Sequence, residues 1–351
     1  MGSYPVNESL ISLFLIAFPT SYFFFLITLI SGSIISISST SWFGAWIGLE
    51  LNLISFIPLI AFKINPLFSE AALKYFLIQA LGSVLFISSR FLLMSFYSFR
   101  LLSIFLALLL KLGGAPFHFW FPQVIKGLKW PQIFLLSTIQ KLAPLTLISY
   151  LINNEILIKI TIFSAILSAL IGRLGGLNLT LLRKIIAFSS INHLSWILIA
   201  ISIRDSSWLF YFFIYSLIVL SITRVFHKLQ TFSLSILIQS DQNRTLHATI
   251  ISLNFLSLSG LPPITGFIPK WIVIQVILNL NIFIPLFFLL VSALITLYFY
   301  LRIIITIILI FNPILNFNMK YKSLTDSPSS LFFKSSFNFF GLLLPVYFTF
   351  I

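Results

Sequence analysis

Cysteine is absent from the 351 residues, which excludes disulfides, thiolate zinc sites and ordinary iron–sulfur ligation. Charge is nearly as scarce. Only 8% of the residues are Asp, Glu, Lys or Arg, where soluble domains carry about 25%. A chain this poor in charge has no surface to present to water, so a soluble enzyme or soluble binding module is excluded. Alternation is missing as well. The apolar runs are continuous, which excludes the alternating strands of an outer-membrane barrel. A cleavable leader is not expected, because the first apolar run leads straight into further ones.

What remains is apolar: 59% of the residues are hydrophobic and 17% aromatic, with a mean hydropathy of +1.10. Apolar runs of about 20 residues recur from end to end, each about what a helix needs to cross a ~30 Å hydrocarbon core. The expected fold is an all-α polytopic membrane protein of about eleven transmembrane helices. The spans read as 10–38 (interrupted at Pro19), 41–62, 70–94, 101–121, 132–152, 157–177, 179–201, 207–229, 248–279, 283–310 and 331–351. The longest polar stretches, 231–246 and 312–330, are too short to form a domain. Residues 1–351 are therefore expected to form a single membrane domain.

The formal net charge of +14 does not point to nucleic acid, since the cations sit singly or in pairs at the ends of apolar runs. That distribution sets topology. One side holds Lys63, Lys126, Lys129, Arg183, Lys184, Lys228, Arg244, Lys320, Lys322 and Lys334. The other has Arg90, Arg100, Lys159 and Arg204. The positive-inside rule then places the amino terminus on the matrix or cytoplasmic side, and an odd number of spans places the carboxyl terminus opposite.

Two spans carry breakers in their interiors: Gly113-Gly114-Ala115-Pro116 in span 4 and Gly260-Leu261-Pro262-Pro263 in span 9. Proline cannot donate the helical hydrogen bond and crowds the preceding turn. Irregular backbone at membrane depth survives only where protein or a wet cavity surrounds it. The breaks are five spans apart, so a second copy of a five-span unit would cross the membrane in the opposite sense. Such inverted repeats with paired broken helices mark ion pathways. The first repeat is expected over 1–152, the second over 157–310, and a last helix over 331–351.

Four charges fall in mid-span: Glu50, Lys111, Lys141 and Lys270. Each ionised group in hydrocarbon costs at least about 2.5–3.5 kcal/mol, and a lysine ~15 Å from either interface cannot snorkel out. Burial favours a neutral amine while a nearby carboxylate favours the ammonium, so such a lysine can load and release a proton. Glu50 and Lys111 are the evident pair, although a static ion pair would also use them. Lys141 and Lys270 have no spare mid-span acid. His118 and His193 are ordinary core histidines or relays between the lysines. Glu70 and Lys74, one turn apart, read as an interfacial pair. No two histidines repeat along a helix as haem ligands would, and Gly172-Arg173-Leu174-Gly175-Gly176 lacks the strand and the Gly-Lys-Ser/Thr end of a phosphate loop.

Seven ordered motifs carry a resemblance: SWFGAWIGLELN, EAALKYFLIQA, KLGGAPFHFWFP, QKLAP, GGLNLTLLRKIIAFSSINHLSW, LSGLPPITGFIPKW and YFYLRI. Over roughly residues 41–302 the chain resembles the antiporter-like membrane subunits of mitochondrial NADH:ubiquinone oxidoreductase (respiratory complex I), and among them the subunit 2 family. The resemblance implies two inverted five-helix repeats and eleven helices in an inner-membrane protein that translocates protons. It assigns proton transfer to Glu50, Lys111, Lys141 and Lys270. It also implies that this chain binds no cofactor, with FMN, iron–sulfur clusters, NADH and ubiquinone held by partner subunits. The implied partners are the other membrane-arm and accessory subunits and membrane lipid, cardiolipin included, with no nucleic acid. Leu179 stands where the family has Gln. The rival reading is a free-standing cation/proton antiporter of the same fold.

Overall fold

The computed structural model describes residues 8–61, 66–91, 97–152, 154–234, 244–262 and 264–310, and among them it contains thirteen helices and no extended strand. In chain order they are α1 (Glu8–Ser38), α2 (Trp42–Ile60), α3 (Pro66–Phe91), α4 (Tyr97–Leu112), α5 (Trp120–Gly127), α6 (Trp130–Ser137), α7 (Ile139–Leu151), α8 (Glu155–Gly176), α9 (Leu182–Ser202), α10 (Ser207–Leu229), α11 (Arg244–Ser259), α12 (Phe267–Asn279) and α13 (Phe283–Ile310). Among the described residues eight helical stretches are long and apolar enough to cross a membrane, with α6 and α7 counted together. The expected span at 331–351 and the 312–330 loop lie outside the described residues.

Helices are the form an apolar chain must take where no water can satisfy the backbone. Hydroxyls at depth follow the same rule: Ser189, Ser190 and Ser195 each bond the carbonyl three residues back, at 2.6–2.8 Å. That is how α9 can be buried without a gap from Ser189 to Ser202 and serve as the central helix. The lipid-facing sides of α3 and α13 instead show exposed Leu73, Leu77, Phe287 and Leu294.

Two expectations about continuity are corrected. The backbone of α1 is helical through Pro19, because a proline in a long apolar span costs one helical bond rather than the helix. Conversely, the expected continuous span at 132–152 is divided at Thr138 (φ −118°, ψ −79°) between α6 and α7. Pro144 lies inside α7, and its ring crowds the carbonyl of Gln140, four residues earlier.

The loops show which ends lie together. Arg183, at the start of α9, donates from Nη1 to the carbonyls of Lys126 and Leu128, both at 2.8 Å, and its guanidinium lies 4.0 Å from the Phe232 ring centroid. Leu181 and Ser233 form a short bridge, and Trp130 Nε1 donates to Thr231 O at 3.1 Å. Gln132 Nε2 donates to Leu59 O near the end of α2. The ends of α2, α5, α8 and α10 therefore meet on one face, with Lys126, Lys129 and Arg183 among the residues there.

Candidate functional site

The first break follows Leu112. Gly113 has φ +69°, a left-handed conformation that closes a helix end and that glycine adopts without strain. Its N–H bonds Leu110 O at 3.1 Å, and that of Gly114 bonds Leu109 O at 3.2 Å. Two side chains complete the cap. Trp120 Nε1 donates to Leu110 O and Gln79 Nε2, from α3, donates to Lys111 O, both at 3.1 Å. The carbonyls of the last turn, which have no partner inside the helix, are thereby met by neutral donors. The Lys111 ammonium is not used. Its side chain runs past Gly82, where a Cβ would stand 3.1 Å from Lys111 Cγ, and its Nζ is buried with no hydrogen-bond partner.

Glu50 is on α2, with Oε1 likewise buried and without a partner. Its charge reaches Lys111 and Tyr75, yet the two expected partners do not touch. Among the described residues the ion pair is Glu70–Lys74, at 2.5 Å and exposed. Around Glu50 the polar contacts cross helices: Tyr75 Oη donates to Gln140 Oε1 at 3.2 Å, and Gln140 Nε2 donates to Asn52 O at 3.3 Å. The neighbour of Lys141 in sequence thus ties α7 to α2 and α3.

Lys141 lies just beyond the break at Thr138, whose carbonyl accepts its N–H at 3.0 Å. The side chain is buried, 4% exposed, and its ammonium sits 4.4 Å from the Phe121 ring centroid. A cation in that position is attracted by the ring quadrupole. Phe121 is in the first turn of α5, so the helix that follows the first break supplies Lys141 with its aromatic seat.

The second break lies between α11, which ends at Ser259, and α12, which begins at Phe267. Gly260 has φ +74° and its N–H bonds Leu256 O and Ser257 O at 3.2 and 3.1 Å. Here the lysine is itself the cap. Lys270, also 4% exposed, folds back from α12 and donates from Nζ to Ser259 O at 2.7 Å and Leu258 O at 3.3 Å. Trp196 of α9 lies beside it, 5.8 Å from Nζ to the ring centroid.

The two histidines part company. His118 is within the first break, with Nδ1 3.1 Å from Pro116 O and its ring 4.0 Å from that of Phe119, which is exposed. A carbonyl only accepts, so Nδ1 carries the hydrogen there. His193 is in the centre of α9, with Nδ1 2.9 Å from Tyr211 Oη. The charges of Lys270 and Lys141 both reach its ring. Tyr215 lies one turn along α10, its ring centroid 4.9 Å from that of His193, with its hydroxyl beside Ser190 and Ser137. Tyr300 of α13 has its hydroxyl beside Ser189.

The structure therefore sets the buried Lys111, Lys141, His193 and Lys270, with the half-buried Glu50, in a row across α2, α4, α7, α9 and α12. In it the charge of Glu50 reaches Lys111 and those of Lys141 and Lys270 reach His193, and His118 is left at its side. Such a row can hold and pass protons. Among the described residues no group of His, Asp and Glu is arranged to hold a metal ion. Sequence reasoning did not single out Gln79, Trp120, Phe121, Trp196, Tyr211 or the Thr138 break. Tyr211 and Tyr215 did carry a signal, since two hydroxyls one turn apart in an apolar span fall on one face.

The family model for the NADH:quinone oxidoreductase/Mrp antiporter transmembrane region matches residues 39–99 and 95–296. NADH-ubiquinone oxidoreductase chain 2 of Anopheles gambiae is 49% identical over 292 residues, covering 80% of this chain and 83% of the relative. The chain belongs to the NADH-ubiquinone oxidoreductase chain 2 family. The fold agrees with that family's membrane setting. A chain in a structure of respiratory complex I from Thermus thermophilus superposes with a TM-score of 0.79 at 21% identity, covering 93% of this chain and 78% of that one. A chain of the Mrp complex from Dietzia sp. has a TM-score of 0.69 at 16% identity, covering 80% of this chain and 59% of that one.

Proposed function

We propose that the chain is a proton-translocating subunit of the membrane arm of mitochondrial NADH:ubiquinone oxidoreductase, moving protons along Glu50, Lys111, Lys141, His193 and Lys270. The observation that carries this reading is the buried row itself: three lysines and a histidine at membrane depth, each beside a helix break or another member of the row. Membership of the chain 2 family supports the assignment to that complex. His118 is a side branch at most, since its Nδ1 is committed to a backbone carbonyl.

The remaining parts of the reading rest on the apolar runs, the paired breaks, the cation distribution and membership of the chain 2 family. The chain crosses the inner membrane eleven times in two inverted five-helix repeats, about 1–152 and 157–310, with a last helix at 331–351. The cation-rich ends that meet on one face lie in the matrix with the amino terminus, and the carboxyl terminus faces the intermembrane space. Redox chemistry, with FMN, iron–sulfur clusters, NADH and ubiquinone, belongs to partner subunits, which bias these lysines through charge or conformation. Membrane lipid, cardiolipin included, covers the exposed apolar faces. A free-standing cation/proton antiporter is the second reading, and the likeness to the Mrp complex chain shows that the fold is shared. Purification of this chain alone in functional form would support that alternative.

The test is substitution of Lys141. Lys141→Ala should leave the complex assembled and lower proton-coupled quinone reduction by about a hundredfold, the lower end of what a positioned proton-transfer group contributes. Lys141→Arg should rescue little, because arginine does not deprotonate in proteins. Full pumping by the arginine variant would mean that position 141 needs only a fixed charge, and the proton-carrying role would be withdrawn.

A further inference from the structure

We infer that Tyr211 is a positioning residue for His193, holding the imidazole so that Nε2 is the atom that exchanges protons with the neighbouring lysines. The inference rests on the proton-path reading above and adds a residue to it. His193 is 6% exposed and lies in a helix buried on every side. Its Nδ1 is occupied by Tyr211 Oη at 2.9 Å, and Tyr211 is itself 1% exposed. The Tyr215 ring packs against the imidazole from the next turn of the same helix.

The choice of a hydroxyl matters. A backbone carbonyl, as at His118, only accepts and so fixes one tautomer. A phenol both donates and accepts. When Nδ1 carries hydrogen, it donates to Tyr211 Oη. When Nδ1 is bare, the hydroxyl turns and donates to it. Each neutral tautomer and the imidazolium therefore have a matched partner on that side. A proton reaching bare Nε2 gives imidazolium with Nδ1–H still donating to Oη, and its departure from Nε2 restores the neutral ring. Tyr211 keeps its own proton throughout. No bond to its oxygen breaks, and no co-reactant is needed.

The groups facing His193 are Tyr211 and Tyr215 from α10, with Lys141 from α7 and Lys270 from α12 acting on the ring through their charge. Tyr300 of α13 acts on the two tyrosines. Removing one hydroxyl from this set leaves the ring packing in place. Tyr211→Phe should therefore give a normal amount of assembled complex and a kcat reduced on the order of tenfold, the rate equivalent of one lost hydrogen bond, with KM for quinone unchanged. Tyr211→Gln, which returns a donor and an acceptor, should recover part of the loss. In a His193→Gln background Tyr211→Phe should add nothing, because its effect runs through the imidazole.

Turnover is normalised to assembled complex in every variant, so poor assembly does not decide the outcome. Normal kcat in Tyr211→Phe beside an impaired His193→Gln would overturn the inference and leave the proton path standing, as would losses that multiply in the double variant. Normal pumping by His193→Gln would remove His193 from the path and the inference with it.

Discussion

Gly260→Ala is the sharpest perturbation the geometry offers, because one methyl group meets both the backbone and a functional side chain. At φ +74° an alanine pays about 1–3 kcal/mol for the left-handed conformation. Its Cβ would stand 2.7 Å from Lys270 Cδ, 2.9 Å from Nζ and 3.0 Å from Cε, whereas carbon atoms in contact prefer ~3.5–4.0 Å. The lysine must retreat by about 1 Å, the shortfall against that preferred contact. Its 2.7 Å bond to Ser259 O would then stretch beyond hydrogen-bonding range. A bond made by a charged group contributes about 1.5–3 kcal/mol, so the total cost is about 2.5–6 kcal/mol, of which the second part falls on Lys270. Gly113→Ala is the control. At φ +69° it carries the same backbone cost, but its Cβ meets Phe121 Cβ at 3.2 Å and Trp120 Cζ2 at 3.3 Å, so it presses on the ring beside Lys141 rather than on a lysine and breaks no hydrogen bond made by an ammonium. The assay is NADH-driven quinone reduction and proton pumping, each normalised to assembled complex on native gels. Gly260→Ala should pump about 10–100-fold more slowly than Gly113→Ala, the rate equivalent of the lost charged bond. Equal pumping by the two variants would refute the claim that Lys270 acts from its place on the Ser259 carbonyl.

Two further substitutions follow from the same geometry. Glu50→Gln should give an assembled complex with strongly reduced turnover: without direct contact the attraction to Lys111 lies below about 4 kcal/mol, the value at ~4 Å and an effective dielectric of ~20. Poor assembly would instead mark a static partnership, and normal turnover would remove Glu50 from the path. Phe121→Leu removes the aromatic face under Lys141, worth about 0.5–2 kcal/mol, and should slow pumping by up to about thirtyfold while Phe121→Tyr stays near wild type. Equal rates in the leucine and tyrosine variants would show that the ring serves only as packing.

The parts of this structure that sequence made legible are those announced by rare residue types. Charges are so few that Glu50, Lys111, Lys141 and Lys270 stood out on cost alone, and the glycines and prolines of GGAP and GLPP marked two irregular segments. Thr138 gave no such notice. The nearest breaker is Pro144, two turns on, and a proline inside a membrane helix can equally leave it whole, as Pro19 does. The partners of the lysines were hidden for the opposite reason. With 17% of the chain aromatic, no pattern separates Phe121 and Trp196 from rings that only fill space. Carbonyl partners such as Ser259 O belong to the backbone and leave no trace in composition at all. Proximity across helices was also invisible: Glu50 and Lys111 were each identifiable, but the gap between them was not.

The two breaks look alike in sequence and are finished differently, and the difference decides what each can couple. At the end of α4 the free carbonyls are met by Trp120 and Gln79, which are neutral and do not titrate. The protonation of Lys111 can therefore change without loosening the helix end, and on the proposed path this lysine would act outward, through its field. At the end of α11 the cap is the ammonium of Lys270. Hydrogen bonds from a charged donor are roughly twice as strong as neutral ones, so a proton leaving Lys270 weakens the contacts that hold the second break in shape. Proton occupancy and backbone geometry are linked at α11–α12 and separate at α4–α5. On the proposed proton path the conformational consequence of proton transfer falls at Gly260, which is why its replacement by alanine is expected to cost function beyond what the same change costs at Gly113.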